Sequence, residues 1–347
     1  MSEPTCSVIV PARQCAAMLV QSLTAICAST LPRDQWELIA VDDGSTDDTA
    51  EVAAQFADLV LSIPDGPRGP AAARNRGAEV ARGRFLVFVD ADVCIRPGVL
   101  AEFVEAFGAD TRIAAVFGAY DTEPRAAGLV SQYRNLLHHY VHLINHGDAE
   151  TFWAGCGAVR RAAFMAVGMF DEKRFPRPQI EDIELGYRLI AHDGRILLRP
   201  EIQGTHLKRW TLWRMLTTDF HDRAVPWMLL LLERGDVGGR GTLNVSPTEK
   251  LLTALIGLAL LGVALAAFRA DPRWLLLSLI CVVFVVVANL AMLRWFAERR
   301  SVAFALAVIP LRLAFYIVSG AGAAWALFLH ITGLRRRAAP ALGGALP

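Results

Sequence analysis

The chain has 347 residues, 54% of them hydrophobic, with a mean hydropathy of +0.36. Its 35 basic and 34 acidic side chains leave a net charge of +1, so bulk charge points to no polyanionic partner and argues against nucleic-acid binding. Cys6, Cys15, Cys27, Cys94, Cys156 and Cys281 form no CxxC or Cys/His spacing, which argues against a disulfide framework or zinc site and for reduced, packed thiols.

In chain order, Cys6–Val10 is a β-branched run ending at Pro11, too short for a signal-peptide core and soon followed by Arg13. The N-terminal domain is therefore expected to stay in the cytosol. Ala16–Cys27 has helical composition. Glu37–Val41 is a second apolar run, closed by Asp42-Asp43-Gly44-Ser45, and Asp47–Ala57 reads as a helix with acids in its first turn. Leu59–Ile63 is a third run. Gly69-Pro70 opens a helix to about Arg82, with Pro at its first position. Arg84–Val89 is a fourth run, ending at Asp90-Ala91-Asp92. Strands alternating with helices predict βαβ units and a parallel sheet. Such sheets bind ligands beyond the carboxyl ends of their strands, where Pro11, Asp42-Asp43 and Asp90/Asp92 stand.

The stretch from Ile113 to Arg199 is less regular. It holds an apolar-aromatic segment at Phe117–Tyr120 and a helix at Leu129–Asn145. A Gly/aromatic segment follows at Trp153–Gly157, then a helix at Glu181–His192. This reads as the second half of the same domain, suited to holding an acceptor. Lys208–Leu232 interleaves Trp210, Trp213, Phe220 and Trp227 with Arg209, Arg214 and Arg223, a pattern that suits a membrane surface or an ordinary packed amphipathic helix. Leu251–Phe268 and Trp274–Leu293 are long enough to span a hydrocarbon core. Val302–Leu329 is interrupted by Pro310 and Arg312. Because a mid-bilayer Arg is costly, an in-plane segment followed by a span from about Leu313 is expected rather than one kinked span. Three spans would put Arg335-Arg336-Arg337 outside, against the positive-inside tendency, which Arg294, Arg299 and Arg300 obey.

Two carboxylates one residue apart at a strand end, Asp90 and Asp92, can reach one hard cation, Mg²⁺ or Mn²⁺, that bridges substrate phosphates. Asp42 and Asp43 precede a turn and a helix cap, but two adjacent acids exceed what a cap needs, and one could accept hydrogen bonds from a nucleobase or ribose. In Arg68–Gly77, small residues allow close approach to a helix start and Arg74 can pair with phosphate, or the arginines are simply solvated. Glu181 and Asp182 open a helix, either as complements to its dipole or with Asp182 as a general base. His206 could ligate metal or contact phosphate, and Trp210 could stack on a sugar.

In order, the motifs are Val8-Ile9-Val10-Pro11, Val41-Asp42-Asp43-Gly44-Ser45-Thr46-Asp47, Ala73-Arg74-Asn75-Arg76-Gly77 and Phe88-Val89-Asp90-Ala91-Asp92. Gly155–Arg161, Gly168–Glu172 and Glu181-Asp182-Ile183-Glu184-Leu185 follow. Together they resemble family 2 glycosyltransferases of GT-A fold, over roughly residues 6–210. The resemblance implies an α/β domain with a mostly parallel central sheet and inverting transfer from a nucleotide-diphospho-sugar, with a UDP-sugar the expected donor and a GDP-sugar the alternative. It implies that Pro11 and Asp43 line the nucleobase pocket and that Arg74, Asp90, Ala91 and Asp92 bind the nucleotide sugar. Asp92, Asp90 and His206 would hold Mn²⁺ or Mg²⁺, Asp182 would be the catalytic base, and Gly155, Glu181 and Trp210 would contact the acceptor. The sequence departs from the family at Pro11-Ala12-Arg13-Gln14, where an Asn-containing turn is frequent. It also has Arg209-Trp210 without the Gln of the Q-x-x-R-W motif of processive synthases, so a single-addition enzyme is expected.

The expected organisation is a catalytic domain over 1–207 and an amphipathic membrane-interface segment over 208–248. A transmembrane region over 249–334 would have spans near 251–268, 274–293 and 311–330, before a basic tail at 335–347. The layout is similar to enzymes that glycosylate a membrane lipid at the cytosolic face, polyprenyl-phosphate glycosyltransferases among them, which implies a lipid acceptor and a bacterial cell membrane. A non-catalytic nucleotide-sugar-binding scaffold and a nucleotidyltransferase are the rival readings.

Overall fold

The computed structural model describes residues 3–237 and 246–334; the Arg335–Arg337 tail and part of the expected 208–248 segment lie outside them. The chain divides into two compact units, at Trp210/Thr211. The first unit therefore extends slightly past the expected boundary at 207.

In the first unit, β1 (Cys6–Ala12), β2 (Trp36–Asp42), β3 (Leu59–Ser62) and β4 (Phe85–Val89) form a parallel half-sheet. Val8 stands opposite Leu38 on one side and Val87 on the other. Both faces of β1, β2 and β4 are covered, which is why these strands read as near-continuous apolar runs. The crossovers are α1 (Ala16–Cys27), α2 (Thr49–Ala54) and α3 (Pro70–Val80). The helix expected over Asp47–Ala57 is shorter because Asp47 sits outside it, accepting from the Thr49 N–H and hydroxyl at 3.2 and 2.5 Å. Pro70 occupies the first turn of α3 as its sequence predicts.

The second half of the sheet is mixed. Its elements are β5 (Val93–Ile95), α4 (Val99–Ala109), β6 (Ile113–Tyr120), α5 (Leu129–Ile144), β7 (Gly147–Ala149), β8 (Cys156–Arg160), α6 (Arg161–Ala166), α7 (Glu181–Ala191) and β9 (Arg195–His206). The order across the sheet is β3-β2-β1-β4-β8-β6-β9-β5, with β7 also on β9. β8 is antiparallel to both β4 and β6, so it joins the two halves and sets Cys156 opposite Val89. The carboxyl end of β4 thereby meets the start of β8, and β9 returns to end at His206 opposite Val93.

The second unit opens with a helical stretch: α8 (Leu212–Thr218), a π-helical turn (Asp219–Ala224) and α9 (Val225–Arg234). It continues with α10 (Pro247–Arg269), α11 (Arg273–Ala288), α12 (Leu290–Arg299), α13 (Val302–Ala307) and α14 (Ile309–Thr332). Two stretches, Pro247–Arg269 and Val302–Thr332, are long and apolar enough to cross a membrane, and a third counts if the bent pair α11–α12 is one span. Small residues set the packing. A Cβ at Gly322 would lie 2.5 Å from Ala224, and one at Gly262 2.4 Å from the Ser278 hydroxyl. Ser278 Oγ donates to Ala259 O at 2.7 Å.

Within the span expected over 274–293, α11 gives way to α12 at Asn289, at a bend of 53°. The third segment is two helices, α13 and α14, which meet at Val308, and Pro310 stands in the first turn of α14, where its missing N–H costs no helical bond.

Candidate active site

The site is built where β4 and β9 end and where β8 and α7 begin. Beyond β4, Asp90 and Asp92 diverge. Asp90 turns to Arg74 of α3, which donates at 2.6 Å, and the same guanidinium donates to Glu181 of α7 at 2.9 Å. Arg74 and Glu181 are both 4% exposed. Two carboxylates therefore neutralise one buried cation, and the pair that opened as a phosphate-binding arginine and an acceptor-contacting glutamate is engaged internally. Arg74 Nε alone among its nitrogens has no partner among the described residues.

Asp92 turns the other way, with Oδ2 3.6 Å from His206 Nε2. Burial by itself would raise the Asp92 carboxyl, but His206 and the Lys208 charge outweigh it and hold it below the usual carboxylate range. The His206 ring is stacked face to face on Tyr120 at 4.2 Å. Backbone bonds fix this end of the site: Leu207 N donates to Asp92 O and Asp90 N to Gly155 O. Ala91, between the two acids, is buried.

Asp182, in the first turn of α7, accepts from Ala154 N at 3.1 Å and from Ile183 N at 2.8 Å. Burial first, and the neighbouring Glu181 charge second, push its carboxyl up to about 7. A carboxylate tuned to this range can take up a proton near neutrality.

The nucleotide-side residues stand at the ends of β1 and β2. Pro11 is half-buried opposite Val41. Asp43 is buried and accepts from Arg68 N and Gly69 N at 2.7 and 2.8 Å, shaping the loop that leads into α3. Gly69 has φ +89°, and a Cβ there would meet Pro176 O at 2.5 Å, so glycine is required on both counts. Gln14 is a residue whose role the sequence reading missed. Its side-chain oxygen accepts from Thr46 N at 2.7 Å and Asp47 N at 3.2 Å, tying the β1 loop to the β2 loop. Its only signal was the departure from an Asn-containing turn.

A second missed group is aromatic. Tyr120, His138 and Trp153 cluster, with ring centroids 4.4 to 4.8 Å apart. Gly155 is bare because the Trp153 ring lies over it: a Cβ would sit 2.5 Å from that ring. His142 Nδ1 donates to Gly118 O at 2.8 Å, and burial lowers its imidazole to about 4; His138 is also driven well down, chiefly by burial. The signal was present in the spacing of His138, His139 and His142, which shares one helix face. Trp210, expected to contact the acceptor, stands at the end of the first unit. Its ring lies against Arg134 and Lys208 at 5.2 and 4.8 Å, and only 8% of the residue is exposed.

Among the described residues, no three His, Cys, Asp or Glu side chains converge as a ready ligand set. The Asp92–His206 pair nonetheless fits a divalent cation. It offers one oxygen and one nitrogen donor with the acid kept ionised, and Mg²⁺-type ions are usually held by one or two carboxylates plus substrate phosphates. Asp90, the other carboxylate expected at the metal, accepts from Arg74 at 2.6 Å.

The glycosyl transferase family 2 model matches residues 7–168. Glycosyltransferase AglE of Haloferax volcanii is 39% identical over 93 residues, covering 26% of this chain and 31% of the relative. Validoxylamine A glucosyltransferase of Streptomyces hygroscopicus subsp. jinggangensis is 30% identical over 223 residues, 54% of this chain and 52% of the relative. The chain thus spans about a third to a half of the length of these curated relatives. Among solved structures, the mannosyltransferase PcManGT from Pyrobaculum calidifontis, in complex with GDP-Man and Mn²⁺, matches with a TM-score of 0.58 and 18% identity. That match covers 94% of this chain and 88% of the other, a likeness of fold. The chain therefore carries a glycosyl transferase family 2 domain of GT-A fold, followed by a helical region with two stretches long and apolar enough to cross a membrane.

Proposed function

We propose that the chain transfers a sugar, with inversion, from a nucleotide-diphospho-sugar to a hydroxyl of a membrane lipid. The observation that carries this reading is Asp182: a carboxylate anchored by the Ala154 N–H, raised to about 7, on the helix that faces the strand ends bearing Asp92 and His206. Asp182 takes the proton of the acceptor hydroxyl, whose oxygen bonds to the anomeric carbon. The bond from that carbon to the diphosphate breaks, and the nucleoside diphosphate leaves with the electron pair. Asp92 and His206 would hold Mn²⁺ or Mg²⁺, whose charge supplies Lewis-acid stabilisation to the departing diphosphate. Pro11 and the loop organised by Asp43 receive the nucleobase, with a UDP-sugar preferred as donor. Trp153, rather than Trp210, offers the aromatic face for a sugar beside the base. Arg74 acts through Asp90 and Glu181, as a positioning residue.

The lipid acceptor is supported by the two long apolar stretches. Lys250, Arg294, Arg299, Arg300 and Arg312 gather at one end of α10, α11 and α14, against Arg269 and Arg273 at the other. The positive-inside tendency places the richer end in the cytosol, and a bacterial cell membrane is the setting this reading favours. A hydroxyl rather than a phosphate acceptor is favoured because a phosphate oxygen needs no base of this proton affinity.

The test is incubation of membranes holding the full chain with labelled UDP- and GDP-sugars, followed by mass spectrometry of extracted lipids. One donor should yield a labelled lipid and a nucleoside diphosphate. Release of pyrophosphate would make the chain a nucleotidyltransferase, and donor binding without turnover on any lipid extract would leave only a binding protein.

A further inference from the structure

Helix α11 ends at Ala288, and α12 leaves it at a bend of 53°. The hinge residue, Asn289, is buried and fixed. Its amide nitrogen donates to Val285 O at 2.9 Å and Tyr316 Oη at 3.2 Å, and its oxygen accepts from Arg312 Nε at 2.9 Å. Arg312 in turn grips both oxygens of Glu249, at 2.7 and 2.8 Å. Glu249 lies in the first turn of α10, Asn289 just past the last turn of α11, and Arg312 in the first turn of α14. One end of three apolar helices thus carries the polar cluster, and that is the level where a hydrocarbon core gives way to headgroups.

Past this level the chain changes character. On the core side, α11 exposes Leu276, Leu279, Ile280 and Phe284. On the far side, α12 buries Met292, Leu293 and Phe296 and exposes Arg294 and Arg299. Arg299 lies 5.5 Å from the Trp295 ring, and among the described residues neither arginine is in an ion pair. Helix α13 has no charge, yet Val302 and Leu306 are 67% and 61% exposed. Crossing does not require α13. The 24 residues of α14 reach about 36 Å at 1.5 Å per residue, against a core of about 30 Å. A basic helix with a tryptophan, then a short exposed apolar helix, at a polar boundary is the composition of a headgroup-layer element.

We propose that α12 and α13 form an interfacial hairpin in which Arg294 and Arg299 bind anionic phospholipid headgroups while Val302 and Leu306 enter the acyl layer. The proposal rests on the reading that α10 and α14 cross a bilayer. It makes α12 an in-plane turn after α11, not the second half of one bent span.

The experiment titrates the full chain, purified in neutral detergent, with phosphatidylglycerol or with phosphatidylcholine of the same acyl chains, and reads the thermal midpoint. Phosphatidylglycerol should raise the midpoint and phosphatidylcholine should not. Arg294→Gln with Arg299→Gln should need on the order of 25-fold more phosphatidylglycerol for the same rise, about fivefold per arginine. Arg294→Lys with Arg299→Lys, which keeps the charge, and Arg269→Gln at the opposite end of α10 should respond like the parent. Equal responses to the two lipids, or an undiminished response in the double Gln variant, would overturn the hairpin. Alkaline carbonate washing of membranes tests the underlying reading separately: release of the parent chain refutes the crossing helices, whereas a retained chain with no phosphatidylglycerol response refutes the hairpin alone.

Discussion

At the scale of single residues, Asp182 gives the sharpest expectation. Its carboxyl is pushed to about 7 by burial, then by the Glu181 charge. A general base works only when ionised, so turnover of a hydroxyl acceptor should rise as pH climbs through about 7. Asp182→Asn should remove that limb together with most of the rate, on the order of a hundredfold or more. Glu181→Gln removes the repelling charge and frees Arg74 toward the base, so the limb should move to lower pH; a pH–rate profile for each variant is the check. Stability runs in the opposite sense. The unfolded carboxyl ionises near about 3.9, so between there and about 7 the native state binds the extra proton, and this group's contribution to stability falls as pH rises. Asp90 and Asp92 also separate at this scale. They are one residue apart in sequence, yet one serves a buried arginine and the other a histidine.

At the scale of elements, the start of β8 is held by contacts that leave no room. Gly155→Ala would put a Cβ 2.5 Å from the Trp153 ring, and the adjacent Ala154 N–H is the one that holds Asp182. Moving the ring should cost about 1–3 kcal/mol, read as a lower thermal midpoint with reduced turnover. Adding Trp153→Leu should recover part of the stability in a double-mutant cycle. The elements themselves were legible to different degrees. Strands β1, β2 and β4 are buried on both faces and end in polar residues, so their runs and the ligand edge they define could be read directly. Strand β9 could not, because Arg195, Arg199, Pro200, Glu201 and Gln203 interrupt any apolar pattern, and it is held by pairing with β5, β6 and β7. Arg74 looked like a solvated or phosphate-binding side chain. Its burial depends on Glu181, 107 residues away, which no local pattern can reveal. The bend at Asn289 was hidden for the same reason: its side chain accepts from Arg312 of another helix.

At the scale of the whole molecule, each unit carries its own buried ion pair, and the one in the helical unit is the more exposed to loss. Arg312→Gln leaves Glu249 facing apolar helices without its cation, a loss of about 3–5 kcal/mol for a buried pair broken on one side. Heating in detergent should show it, and Glu249→Gln added to Arg312→Gln should restore much of the midpoint. The division at Trp210/Thr211 also says where the chain can be cut. Trp210 is tied to α5 twice, its N–H donating to Ser131 Oγ at 2.8 Å and that hydroxyl donating to its carbonyl at 3.3 Å. Ala224, by contrast, is fitted against Gly322 of α14. A recombinant fragment ending just after Trp210 keeps both serine bonds. A fragment ending after Arg234 would carry a bare small-residue face into solution, and should aggregate where the shorter one stays dispersed.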